Sequence, residues 1–96
     1  MTIRFEWDPH KDALNRQKHG VSLEEARSVF CDENARFMAD PAQYRDEERF
    51  LLLGMSSKTR ALVVCHCYRK ADAVIRLISA RRATKQEQLS YWEHIL

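Results

Sequence analysis

Several things are scarce in this 96-residue chain, and each scarcity narrows its function. It has two glycines and no glycine-rich loop of the kind that cradles a phosphate. No apolar run reaches the roughly 20 residues of a membrane span. The start, Met1-Thr2-Ile3-Arg4-Phe5-Glu6, lacks the apolar core of a signal peptide, so the expectation is a cytoplasmic protein with no membrane. Three cysteines, an odd number, fit reduced thiols better than a disulfide framework. Cys65-His66-Cys67 reads as a metal signature only until strand alternation is applied, which puts the cysteines on one face and the histidine on the other. No metal and no cofactor are therefore expected. A net charge of +2 and a pI near 8.5 are too mild to announce a nucleic-acid binder from bulk charge. Repeats and low-complexity segments are missing too.

Charge is present but segregated. From Arg69 to Lys85 six Lys/Arg stand against Asp72 alone, whereas Asp32 to Arg49 holds six acids against three arginines. A basic C-terminal third suits a polyanion. Within it, Val74-Ile75-Arg76-Leu77-Ile78-Ser79-Ala80-Arg81-Arg82 reads as a buried strand with cations forced into it. An apolar strand holds an arginine only when an anion satisfies it, either an internal carboxylate or a phosphate brought by nucleic acid.

A chain this short with 45% hydrophobic residues makes one domain, residues 1–96. A first strand is expected over Thr2 to Glu6. Asp8 as N-cap, Pro9 at the first helical position and Gly20 past the end bracket a helix from about Pro9 to His19. Its apolar content is thin, so it exposes most of its surface. Ser22-Leu23-Glu24-Glu25 is a capping box opening a second helix that runs to about Cys31. Strands follow at Ala35 to Ala39, Glu47 to Met55, Arg60 to Arg69 and Ala73 to Arg81, with a polar loop from Asp40-Pro41 through Asp46 and a turn from Gly54 to Thr59. Thr84-Lys85-Gln86-Glu87, a second capping box, starts a last helix carrying Leu89, Trp92 and Leu96 on one side. The order β-α-α-β-β-β-β-α with short later turns predicts an α+β class: an antiparallel sheet of four to five strands packed by two N-terminal helices and a C-terminal one. Phe50-Leu51-Leu52-Leu53 and Ala61-Leu62-Val63-Val64-Cys65 are continuous rather than alternating, which implies cover on both faces; helices take one, and the other needs further cover.

Phe5-Glu6-Trp7-Asp8, then Lys11, Asn15 and Lys18-His19-Gly20-Val21, then Ala26, Phe30 and Asp32, then Glu48-Arg49, and finally Ile75 to Thr84 with Tyr91, resemble in order and spacing the BrnT toxins of bacterial type II toxin–antitoxin systems. The pattern departs at Tyr68 and Gln88. The resemblance implies a RelE-like fold, a metal-independent ribonuclease that arrests translation, and neutralisation by a BrnA antitoxin carrying a ribbon-helix-helix domain. It also implies that operator DNA is met only through the toxin–antitoxin complex.

Metal-free RNA cleavage uses the substrate's 2′-hydroxyl as nucleophile, so the protein must take one proton, give another and stabilise charge on phosphate. The guanidinium fork suits the last task. Arg76 and Arg81, with Arg49 or Arg69 nearby, are the expected phosphate ligands. His19 and Glu48 are the proton-transfer candidates, and Lys18 assists, roles to which the resemblance adds weight; Lys11, Arg69 and Arg82 are candidate RNA contacts. In a regular strand Arg76 and Arg81 face opposite ways, unless a bulge intervenes. The plainer reading of Arg76 is an ion pair with Glu48, whose parity with Phe50 and Leu52 suggests partial burial. Lys11, Asn15, Lys18 and His19 share one stripe of the first helix, which on general grounds is a solvated face, and a histidine at a helix C-terminus also complements the macrodipole. Trp7 and Tyr91 read as packing. Two rivals remain: a non-enzymatic binding module offering a sheet edge or apolar face, and a metal-dependent nuclease using Asp46-Glu47-Glu48, of which only Asp46 and Glu48 share a face.

Overall fold

The computed structural model describes residues 3–38, 48–71 and 73–96. The chain runs β1 (Arg4–Glu6), α1 (Pro9–His19), α2 (Leu23–Ser28), a 3₁₀ turn (Val29–Cys31), β2 (Arg36–Met38), β3 (Phe50–Met55), β4 (Ala61–Arg69), β5 (Val74–Arg82) and α3 (Lys85–Ile95). The strands form one sheet ordered β1-β5-β4-β3-β2. The polar loop expected over 40–46, with Asp46 and Glu47, lies outside the described residues, as do Thr2 and Ala39.

The sheet is mixed, which corrects the expectation of an all-antiparallel one. β2 to β5 form a meander, but β1 lies parallel to β5, with Arg4, Phe5 and Glu6 opposite Val74, Ile75 and Arg76. Between β1 and β2 the chain spends two helices crossing one face, so β1 docks at the far end of the meander rather than beside β2. The order also gains the 3₁₀ turn. There the Ser28 hydroxyl donates to the Glu25 carbonyl and the Val29 N–H is shared between the Ala26 and Arg27 carbonyls, so α2 tightens instead of continuing.

Local signals place the helix ends. Asp8 accepts from the His10 N–H, and Gly20 closes α1 at φ +68°, its N–H donating to the Arg16 carbonyl. The box at Ser22 is only half formed: Ser22 accepts from the Glu25 N–H, but the Glu25 carboxylate turns inward to Ser56 Oγ (2.7 Å) and the Arg60 guanidinium. Burial alone would raise its pKa; hydrogen bonds from Arg60 and Ser56 and the Arg60 charge outweigh that and hold it below the usual carboxylate value. Thr84 and Glu87 form the complete reciprocal box of α3.

One core fills the space between α1, α2 and the sheet, with Val21, Leu23, Ala26, Val29, Leu52, Leu62, Val64, Ile75, Leu77 and Ala80 buried. Trp7 packs at its margin. The opposite face is covered in part by α3, where Tyr91 joins Leu53, Val63 and Ala83. The inward side of α3 is thus Tyr91 with Ile95, while Leu89, Trp92 and Leu96 are exposed. Tyr91 also donates to Asp32 Oδ2 (2.6 Å), and burial together with that carboxylate pushes the phenol up to about 12. Gly54 belongs to β3 rather than to a turn: a Cβ there would sit 2.9 Å from both Ala35 Cβ and Val29 Cγ1, so the 3₁₀ turn lies on the strand only because no side chain intervenes.

Candidate functional site

α1 is inverted relative to an ordinary amphipathic helix, since its one buried residue is Asn15. β1 pairs with β5 only as far as Arg76, so among the described residues no strand borders the outer edge of β5 beyond it. Asn15 supplies the missing pairing. Its Nδ2 donates to the Ala80 carbonyl (2.9 Å) and the Val21 carbonyl (2.7 Å), and its Oδ1 accepts from the Ala80 N–H (3.1 Å). The stripe expected to be solvated therefore has its centre welded to the sheet. Asn15→Ala is expected to cost about 2–4 kcal/mol, because it strands three buried backbone groups. Urea unfolding measures this, and an unchanged midpoint would contradict the role.

The weld leaves a cleft of about 650 Å³ between α1 and β5, lined by Lys11, Leu14, Asn15, Gln17, Lys18, His19, Ile78 and Ser79. Three sequence candidates, Lys11, Lys18 and His19, are thus brought to one concavity. Among the described residues none of the three is in an ion pair.

The fifth strand is not regular. Cys65 pairs with Ser79 but His66 with Leu77, so Ile78 is an extra residue and the facing of β5 flips across it. Ile75, Leu77 and Ala80 all enter the core under the N-terminal helices. Arg76, Ser79 and Arg81 consequently share the other face, with Ser79, a cleft residue, between the arginines. The regular-strand expectation that Arg76 and Arg81 diverge is corrected by this bulge. Alternation along β4 puts Arg69 on the same face as Val63, and Cys65 and Cys67 there too, opposite the fully buried His66. His66 sits among Phe30, Phe50 and Tyr68, and burial pushes its pKa down.

The arginines differ in how they are held. Arg76 Nη1 lies 2.8 Å from Glu6 Oε2, its neighbour across β1 and β5, and the side chains are 30% and 39% exposed. Glu6, not Glu48, is its partner; Glu48 is exposed just ahead of β3. Arg49, half-buried, follows Glu48 and stands near the level of Arg76, about two strand spacings or ~10 Å away across β4. Arg81 makes two hydrogen bonds to Glu87 (2.8 and 3.0 Å), which tie β5 to the first turn of α3. Arg69 and Arg82, both exposed, end β4 and β5. Glu6, Leu14, Ile78, Ser79 and Glu87 belong to this neighbourhood without having been singled out for it; Glu6, Ile78 and Ser79 fell within segments that carry the family resemblance and Glu87 within a capping box, whereas Leu14 carried no signal.

Hydrogen bonds from Arg81, with its charge, lower the Glu87 carboxyl from 4.5 to about 2 despite burial. Because the folded value lies below the unfolded one, this contribution is present above about pH 4.5 and lost as pH falls through about 2. Stability of the Glu87→Gln variant should therefore fall less steeply than that of the parent across that window. Urea midpoints at stepped pH check this, and equal slopes would contradict it.

The fold is shared with the 1.1 Å crystal structure of the Brucella abortus ribonuclease toxin BrnT, at TM-score 0.65 and 19% identity over 88% of this chain and 100% of that one. This is therefore a small α+β protein with the architecture of a ribonuclease toxin. The family model described as "Ribonuclease toxin, BrnT, of type II toxin-antitoxin system" matches residues 7–87, and the chain belongs to that family. No curated protein sequence matches it. Among the described residues no helix is long and apolar enough to cross a membrane.

Proposed function

We propose that this chain is a metal-independent endoribonuclease toxin that cuts RNA at the α1–β5 cleft and thereby stops translation. The observation that carries the reading is the convergence of Lys11, Lys18 and His19 with Ser79, which the Ile78 bulge sets in one row with Arg76 and Arg81. The two lysines attract the phosphate chain, and the described lining offers no carboxylate to hold a divalent cation. His19 takes the proton from the 2′-hydroxyl, whose oxygen attacks the adjacent phosphorus. The bond to the 5′-oxygen breaks, and that oxygen receives a proton, leaving a 2′,3′-cyclic phosphate and a 5′-hydroxyl. Arg76, released from its partly exposed pair with Glu6, meets the charge on phosphorus, and Lys18 supports it. Arg81 stays with Glu87 and fixes the strand beside the phosphate. Lys11 holds the RNA within the cleft, Arg49, Arg69 and Arg82 extend the basic surface beyond it, and water protonates the leaving 5′-oxygen; Glu48, just ahead of β3 and two strands from β5, stands outside the reaction.

A BrnA-like ribbon-helix-helix antitoxin holds the toxin inactive, and operator DNA is contacted only through that complex. Purified protein incubated with RNA in excess chelator should still cut it and leave cyclic phosphate ends. Intact RNA at high protein concentration, or cleavage abolished by chelator, would overturn the reading. Expression of the chain alone should arrest growth and co-expression of the antitoxin should restore it.

A further inference from the structure

The cleft has a floor that the proton and phosphate chemistry does not use. Leu14 is 50% exposed on α1 and lies in the concavity with Ile78, the bulged residue of β5. A single exposed leucine is ordinary. Two aliphatic side chains set inside a concavity rimmed by Lys11, Lys18 and His19, with no acid among the described residues of its lining, are complementary to a ligand that is apolar and anionic at once. A nucleotide is such a ligand: a base face can lie on hydrocarbon while the phosphate beside it meets cations.

We infer that the cleft takes one unpaired nucleotide of an RNA strand, its base against Leu14 and Ile78 and its phosphates toward Lys11 and Lys18, so that the substrate is single-stranded RNA. This rests on the ribonuclease reading and names its substrate class. Lys11 and Lys18 stand seven residues apart on α1, about 10 Å along the axis, with Leu14 between them. A strand crossing the helix there places its base in the middle and its phosphates to either side. The volume of about 650 Å³ falls in the range of sites for single small ligands. In a duplex each base face is covered by its stacked neighbours and the deep groove admits no side chain, so Leu14 and Ile78 would meet only sugar and phosphate. An aliphatic floor also offers no hydrogen-bond pattern, so strandedness matters more than base identity.

The test uses the full chain and fluorescent 2′-O-methyl oligonucleotides, which lack the attacking hydroxyl, presented as a single strand, as the same strand annealed to its complement, and as a strand with abasic positions. The single strand should bind at least about ten-fold tighter than the duplex. Abasic substitution and Leu14→Ser should each weaken binding about five-fold, and together no further. Leu14 is half in solvent, and the abasic arm on the unaltered protein stands whether or not the variant folds. Equal binding of strand and duplex, or no loss with abasic positions, would overturn the inference. Cleavage of unmodified RNA, assayed in parallel, separates the two claims. Equal cutting of strand and duplex removes the unpaired nucleotide and leaves the ribonuclease, whereas neither binding nor cutting removes both.

Discussion

The His19→Ala variant should cleave RNA about 10²–10⁴-fold more slowly than the parent, the range that positioned acid–base catalysis supplies. The side chain lies half-buried at the last position of α1, lines the cleft and, among the described residues, is held by no ion pair, so its removal leaves the core intact. Unfolding midpoints should be nearly unchanged. If His19 served only to complement the helix dipole, the variant would instead lose a little stability and keep its rate. The pH–rate profile adds an independent readout: removing the proton carrier should erase one of its limbs, which a merely structural residue would not do.

Arg76→Ala should lower the rate about 10²–10³-fold, the usual cost of removing one donor aimed at developing charge. Its structural cost should be about 1 kcal/mol or less, because both side chains of the Glu6 pair are partly open to solvent. Arg76→Lys should restore only part of the rate, since an ammonium lacks the two-pronged fork that matches a phosphate. Arg81→Ala provides the contrast. It breaks a two-bond contact to a carboxylate that also caps α3, so it should lose stability as well as rate. A variant of Arg76 that unfolds as readily as one of Arg81 would mean that the Glu6 pair is architecture rather than a reserve for substrate.

Residues that speak locally were legible in the sequence. Asp8, Pro9 and Gly20 bound α1, and Thr84 with Glu87 starts α3, because caps are decided by neighbours within one turn. The facing of Cys65, His66 and Cys67 followed from strand period alone. What escaped depends on distant partners. Glu25 abandons its own cap for Arg60 and Ser56, more than thirty residues away. Asn15 turns inward because β1 is too short to cover β5, and Gly54 is buried because the 3₁₀ turn lies across it. β1 runs parallel to β5 through a pairing no turn length announces. The site shows the same division: Lys18, His19 and the arginines were identifiable as chemistry, but the row of Arg76, Ser79 and Arg81 exists only through a bulge at Ile78, and nothing in Leu77-Ile78-Ser79-Ala80 marks which residue is extra.

The location of the chemistry is tested most directly by mapping backbone amide shifts while titrating the protein with an uncleavable 2′-O-methyl strand. Shifts concentrated on residues 11–19 and 76–81 are the predicted result. Shifts confined to the exposed side of α3 around Leu89 and Trp92, or to the β2 edge at Phe37, with α1 and β5 silent, would contradict it.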